Sequence, residues 1–358
     1  MRRVAVFTLV LVLGLVAACT EHDPADKTGV RARVLRVVSF DAINPNRQNP
    51  AAEVFLQQVI ALSGGELKVA VDSHFENGVP TAESDEITAL AAGTYDVAWP
   101  STRAFGTAGI TSLQALETPF LITSVRSQRA LVTSQVAKEF LATLRSHGLV
   151  GLGLAVGPLR RPMATKPLVT LADWKGMRLR AYNSPIQAAS IEAMGATPVS
   201  ASFDFPDLIS AGTLDGVELD IAQYDENDLR DLLPDTTRNV ALWAKMFVFA
   251  MNAASYDRLT PQQQQWVTQA ARAAVQASID FPYDETTPAL NMCKAGVRFH
   301  DATAREFADL RTAVQPVVDR IAADSVSGPL LVKVRSVLAD DPAPDVPDIP
   351  VLPARCFR

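Results

Sequence analysis

Arg180 stands at the carboxyl end of a short amphipathic segment, Met177-Arg178-Leu179-Arg180-Ala181, directly ahead of a helix start, Ser184-Pro185-Ile186-Gln187. A guanidinium is a planar fork of donors that grips a carboxylate through two parallel hydrogen bonds. The carboxyl ends of strands are where open α/β sheets bind ligands. The chemistry these residues offer is capture of an organic anion; the plain alternative is that Arg178 and Arg180, on one face of the strand, are only solvated. Ser101 and Thr102 follow an extended run that ends at Trp99 and offer hydroxyls, or a polar turn. Glu83, Asn183 and Asp220 are further polar candidates.

The residues that catalysis would need are not arranged for it. The four histidines, His22, His74, His147 and His300, lack metal-ligand spacing. There is no G-x-S-x-G elbow to anchor a serine nucleophile. Gly151 and Gly153 begin a near miss of the dinucleotide fingerprint, but Val156 fills its third glycine position and Pro158 follows in place of a helix start. A tightly packed strand end is expected there, with no cofactor. Trp243, Phe247, Phe249, Phe203 and Phe205 are either core residues or a platform for a ligand.

The elements that position Arg180 are legible on both sides of it. Ser184 can cap the free N–H groups, Pro185 suits the first helical position and Gln187 completes a capping box. Gly195 closes that helix, 197–199 starts another short strand, and 204–211 forms a small helix before Leu214-Asp215-Gly216-Val217-Glu218. Upstream, 34–40 reads as a strand and Asn49-Pro50 starts a helix with a Phe55, Val59 and Leu62 stripe. Leu67, Val69 and Val71 alternate as a strand. A helix over 84–92, strands at 95–99 and 120–122, a helix capped by Ser134 and a buried strand at 149–155 follow. Thr260-Pro261 starts the longest helix, which Pro282 and Pro288 should end or kink. A return to a sheet at 297–299 and an amphipathic stretch over 304–322, broken at Pro316, complete the body. Strand and helix alternating at such intervals predict mostly parallel sheets covered by helices.

Arg2 and Arg3 precede an apolar run over 4–16 and the small residues Val16-Ala17-Ala18 before Cys19. This describes a secretory signal too short for a comfortable membrane span. Small residues directly before a cysteine resemble the bacterial lipoprotein processing box, which makes Cys19 the expected lipid-bearing residue; ordinary cleavage nearby is the alternative. Residues 1–19 are thus read as signal and the polar stretch 20–33 as a tether. Net charge is −6 with Lys and Arg scattered, so the basic face of a nucleic-acid binder is missing and attraction for an anion must be local. With Cys19 lipidated, Cys293 and Cys356 remain; outside the cell membrane they suit a disulfide that pins the Pro/Asp-rich tail, 339–358, or else stay as thiols.

Several segments, in order, resemble the substrate-binding proteins of TRAP (tripartite ATP-independent periplasmic) transporters. They are SGGELKVAV, ETPFLI, HGLVGLG, LADWKGMRLRAYNSP, MGATPVSASF, AGTLDGVE and YDRLTPQQQQWVTQAA, and the likeness covers roughly 34–325. The resemblance implies a two-lobed, periplasmic-binding-protein-like α/β fold with a ligand cleft between lobes formed by 34–155 with 246–285 and by 156–245 with 286–338. It implies that Arg180 pairs with the ligand carboxylate. It also implies a second ligand arginine at Arg160, or at its neighbour Arg161 with a one-residue shift. Where the family often has a ligand-contacting asparagine after DGVE, Leu219 stands here, which suggests a more apolar contact beside the carboxylate. The implied function is an exported, lipid-anchored receptor that hands a small organic acid to TRAP membrane subunits. A receptor feeding a membrane sensor kinase and a secreted hydrolase are the rival readings.

Overall fold

The computed structural model describes residues 32–41, 50–340 and 348–357. Cys19, the signal segment and most of the tether lie outside the described residues. Among the described residues twelve strands appear in chain order: β1 (Arg33–Ser39), β2 (Leu67–Ser73), β3 (Val97–Ala98), β4 (Leu149–Ala155), β5 (Leu159–Ala164), β6 (Arg178–Arg180), β7 (Thr197–Val199), β8 (Gly216–Leu219), β9 (Asp235–Thr237), β10 (Trp243–Ala244), β11 (Phe247–Asn252) and β12 (Arg298–His300). They form two sheets. One has the order β2-β1-β3-β11-β4; the other runs β12-β9-β5-β8-β6-β7, with β10 paired to β5.

Both sheets are mixed, with more antiparallel pairing than strand–helix alternation suggests. β1 lies parallel to β2 and β3, but β11 runs antiparallel to β3 and β4. In the second sheet β6 is parallel to β7 and β8, while β5 is antiparallel to β8, β9 and β10. The physical reason lies in the crossings. A strand that leaves one sheet straight into the other, with no covering helix, enters against the direction of the βαβ units already there.

Alternation of side chains across the first sheet builds two cores. Val37, Val97, Phe249 and Met251 face the helices Ala51–Leu62 and Pro261–Asp280 through Phe55, Val59, Val267 and Ala270. Val38, Ala98, Val248 and Ala250 face a cluster that includes Leu90, Phe140 and Leu144. The long helix starts after Thr260 as expected, where Thr260 and Gln263 form a capping box, and it ends at Asp280 before Pro282. The expected strand at 120–122 is instead a turn, with Phe120 at φ 57°, and its ring packs edge-on against Phe307. The helix Ser327–Ala339 packs against Thr111–Glu117, Val125–Thr133 and Gln135–Thr143, all on the first-sheet side. Cys293 and Cys356 are joined by a disulfide, with Cα atoms 5.3 Å apart, which ties the tail to the helix Thr286–Lys294. Among the described residues, no helix is long and apolar enough to cross a membrane.

Two chain crossings, β4 to β5 and β10 to β11, lie against each other at Gly157 and Lys245. The Lys245 amide donates to the Pro158 carbonyl at 2.9 Å. Gln128 ties down Gly157 from both sides, its Nε2 donating to the Gly157 carbonyl and its Oε1 accepting the Gly157 N–H, each at 2.9 Å. A Cβ at position 157 would sit 1.6 Å from the Lys245 carbonyl oxygen, so only glycine fits. Gly157→Ala must therefore separate the two crossings. A loss of about 3 kcal/mol in unfolding free energy is expected, read by denaturant melts; a loss below about 1 kcal/mol would show that the crossings part easily.

Candidate functional site

Three guanidiniums converge between the sheets. Arg160 comes from β5, Arg180 from the end of β6, and Arg103 from the turn Thr102–Ala104 after β3. Each is at most 3% exposed. Their common partner is Glu218 on β8. Its Oε2 accepts from Arg160 Nε at 2.5 Å, while Oε1 lies 3.4 Å from Arg180 Nη2 and 3.8 Å from Arg103 Nη1. The Glu218 carbonyl also accepts from Arg180 Nη2 at 2.6 Å and Arg160 Nη2 at 2.9 Å. Burial pushes the Glu218 carboxyl up, but Arg160, Arg180 and Arg103 overcome it and hold the carboxyl below its ordinary value.

The three cations differ in how many donors the protein uses. Arg160 is braced by Glu218, by Asp220 at 2.9 Å and by Gln223 at 3.1 Å. Arg180 keeps Nε without a hydrogen-bond partner among the described residues, and its Nη1 has only the Ser202 carbonyl at 3.4 Å. Arg103 gives Nε to Glu83 at 2.8 Å, while Nη1 and Nη2 have no hydrogen-bond partner among the described residues. Arg103 and Arg180 both lie against the Tyr182 ring, at 3.5 and 4.2 Å from its centre, and Phe205 is 4.9 Å from Arg180. Cation–π contact of this kind holds a guanidinium flat without using its donors.

The first-sheet side supplies the rest. Glu83, from the helix Ala82–Ala91, accepts from the Ser101 amide and hydroxyl, at 3.1 and 2.5 Å. Thr102 donates its hydroxyl to Glu117, which also receives Gln187 Nε2 at 3.4 Å. Burial raises the Glu117 carboxyl to about 7, against the pull of Thr102, Arg103 and Gln187. Asn183 reaches Ser84 through Nδ2 at 3.1 Å and takes the Thr107 hydroxyl on its carbonyl. These bonds cross from one sheet's elements to the other's.

The structure thus brings Arg180, Arg160, Ser101, Glu83 and Asp220 into one buried network through Glu218 and Arg103, places Thr102 beside it on Glu117, and leaves the half-buried Asn183 at its edge on Ser84 and Thr107. Arg161 is turned away: its neighbours are the Arg238 carbonyl, Glu285 and the Asp348 carbonyl. Adjacent strand residues face opposite sides, so Arg160 and Arg161 cannot both look into the cleft. Leu219, expected beside the carboxylate, packs with Val217, Met163 and Phe299 on the far side of β8, and its neighbour Glu218 faces the arginines. Gln187 also departs from the sequence reading. Ser184 Oγ accepts the Gln187 N–H at 3.3 Å, but the Gln187 side chain does not return to complete a box and turns to Glu117. Arg103, Tyr182, Glu117 and Glu218 were missed. Glu218 lies in the DGVE motif, Glu117 opens ETPFLI and Tyr182 lies in LADWKGMRLRAYNSP, so those three carried a signal and Arg103 carried none.

The bacterial extracellular solute-binding protein family 7 (DctP) matches residues 44–325 of this chain. The chain belongs to this family. It is 25% identical over 292 residues to a solute-binding protein of Verminephrobacter eiseniae, covering 79% of each, and 23% identical to the C4-dicarboxylate-binding periplasmic protein of Rhodobacter capsulatus, covering 67% of this chain and 73% of that one. Its fold is that of TRAP periplasmic solute-binding proteins. One from a Sulfitobacter species, solved with bound β-D-galacturonate, superposes with a TM-score of 0.75 at 22% identity, over 85% of this chain and all of that one. The galactonate complex of a sugar-acid-binding protein from Advenella mimigardefordensis gives 0.73 at 19%, over 86% of this chain and 99% of that one.

Glu117 gives the site a pH signature. Its folded value of about 7 exceeds the ordinary 4.5, so between these values the folded protein keeps a proton that the unfolded chain has released. Its contribution to stability is therefore full below pH 4.5 and falls as pH rises to about 7, by on the order of 3 kcal/mol. Glu117→Gln keeps an acceptor for Thr102 and removes the proton. The expected outcome is a melting temperature that drops less between about pH 5 and pH 7.5 than in the wild-type chain; equal drops would place Glu117 in the ordinary carboxylate range.

Proposed function

We propose that this protein captures a small hydroxylated carboxylic acid outside the cytoplasmic membrane and delivers it to a TRAP-type membrane transporter, by binding and not by catalysis. One observation carries the reading: a guanidinium, Arg180, is buried at a strand's carboxyl end with Nε unpartnered among the described residues. A buried donor left unmade costs roughly 1–3 kcal/mol, more for a charged group, and a carboxylate accepting it removes that cost. The relatives support the class. Solved structures of the same fold hold galacturonate, glucuronate and galactonate, and a curated relative is named for C4-dicarboxylates.

In this reading the two sheets centre two lobes, 34–155 with 246–285 and 156–245 with 286–338. The helix Ser327–Ala339 lies back over the first lobe. An acid enters the open cleft, Arg180 fixes its carboxylate, and closure completes the contacts from Ser101, Thr102 and Glu83. Ligand stabilises the closed population by its difference in affinity between the two forms. The Cys293–Cys356 bond suits an oxidising, exported setting.

Native mass spectrometry of the purified protein should identify a copurifying hydroxy acid. Calorimetric titration of that acid should then show Arg180→Ala weakened by about 2–5 kcal/mol, the usual effect of truncating one side of a buried pair. Arg180→Lys, which keeps charge but loses the fork, should fall between it and wild type. Wild-type affinity in Arg180→Ala, with an unchanged melt, would take the carboxylate away from this residue.

The anchor is a separate part of the proposal, carried by Cys19 and the polar stretch after it. Cys19→Ser should move the protein from the membrane fraction to the soluble extract. If both forms partition alike in detergent, the chain is held by something other than lipid on Cys19.

A further inference from the structure

We propose that Arg103 is a specificity-determining residue that grips the same carboxylate as Arg180 from the opposite side of the cleft, and that the ligand carries one carboxylate and not two. The inference rests on the capture of an acid proposed above. Arg103 is 3% exposed and has both terminal nitrogens without a hydrogen-bond partner among the described residues. Its terminal nitrogens converge with those of Arg180, whose own donor unused among the described residues is Nε. Both reach the same Glu218 oxygen, at 3.8 and 3.4 Å, and both rest on the Tyr182 ring. Arg160, by contrast, already spends Nε and both terminal nitrogens on Glu218, Asp220 and Gln223. Arg160 is therefore a positioning residue, and the unused donors belong to one arginine from each side. An acid end placed between them joins the lobes directly.

The charges around this point set the limit on the ligand. Arg103, Arg160 and Arg180 face Glu83, Glu218 and Asp220, and Lys245 beside them is paired with Asp41, so among the described residues four cations meet four anions before any ligand arrives. Glu117 lies beyond Thr102 on the same side. One further carboxylate can be shared by the two half-used guanidiniums. A second would be buried facing carboxylates with no unpaired cation left to it among the described residues, which is strongly unfavourable. The other unpartnered polar atoms near the arginines suit hydroxyls. Gln187 Oε1 accepts and Ser202 Oγ does either, and the Ser202 carbonyl already touches Arg180.

The test is calorimetry on the whole mature protein with probes of one carbon frame: D-galactose, D-galacturonate, D-galactonate and galactarate, together with succinate. Wild type should bind a monoacid at least tenfold tighter than galactarate, succinate or galactose. Arg103→Gln should lose about 30-fold or more for the monoacid while galactose binding stays level, so the preference for acid over neutral sugar collapses. Arg103→Lys preserves the charge beside Glu83 and guards against a folding defect; it should still lose roughly tenfold, because the fork is gone. Monoacid affinity and selectivity within about threefold of wild type in both variants would overturn the assignment, leaving Arg103 as a strut for Glu83. Tighter binding of galactarate or succinate would overturn the limit to one carboxylate. If wild type binds none of the acids while Arg180→Ala is equally inert, this inference and the proposed function fall together; loss confined to Arg180→Ala defeats Arg103 alone.

Discussion

Among the described residues, Glu218 is the one anion that pairs with all three arginines of the cleft, and the site is arranged around that constraint. Three guanidiniums brought into a space of this kind repel one another, and among the described residues neither the Arg103 nor the Arg180 terminal nitrogens have an ion pair other than Glu218. Burying charge is tolerable only when the partners are close and the remaining donors are met. Arg160 meets its donors within the second sheet, through Glu218 and Asp220. That rigid pair then sets the position of the Glu218 carboxylate, whose second oxygen and carbonyl aim Arg180. Arg180 is thus held from behind by an internal carboxylate, while its Nε stays unused among the described residues.

The same network links recognition to closure. Glu218 belongs to the second sheet and Arg103 to the first, so their 3.8 Å approach exists only when the two sheets are close. Around the rim, the Asn183 side chain and carbonyl meet Ser84 and Thr107, and Gln187 meets Glu117. Phe203, 40% exposed, reaches across to stack on Phe40 with ring centres 5.0 Å apart. Its ring passes so close to Gly78 that a Cβ there would lie 2.2 Å from it, at a backbone φ of 66°. None of these contacts is large. Each is made by short or flat side chains at the edge of the interface, which suits a closed form that a bound acid favours and a transporter can undo.

Local order was readable where one rule dominates. Caps at Ser134, Ser184 and Thr260, the glycine stops and the apolar stripes gave most helices within a residue or two, because these signals act over three or four positions. The strand at 120–122 failed for the opposite reason: Phe120 is apolar because it packs on Phe307 from a distant helix, not because the chain there is extended. In the site, Arg180 was legible from its strand and motif. Arg103 was not, since nothing within its own turn says that Glu83, Tyr182 and Glu218 converge on it from three other elements. Arg161 and Leu219 show the limit most plainly. Sequence position admits either of two neighbours, and only the pairing of β5 with β8, Arg161 opposite Leu219, decides which one of each pair joins the arginine cluster.

Closure also needs a place to bend, and the crossings restrict where that place is. At Gly157 the two crossing backbones are in contact and hydrogen-bonded, so they cannot slide past each other without breaking the bonds from Gln128 and Lys245. A third link, 281–285, is anchored beside them through the Tyr283 hydroxyl on the Val156 carbonyl at 2.8 Å. Three strands of chain fixed at one edge favour rotation about that edge over shear. Lys245, in the second crossing, also carries an ion pair to Asp41 at 2.8 Å, which leads back to the end of β1 and the Phe40 contact. The Lys245–Asp41 pair thus links the second crossing to the end of β1 at the mouth of the cleft. In the proposed motion between closed and open forms, a rotation at the crossings parts Phe203 from Phe40, so opening at the rim and bending at the crossings are coupled.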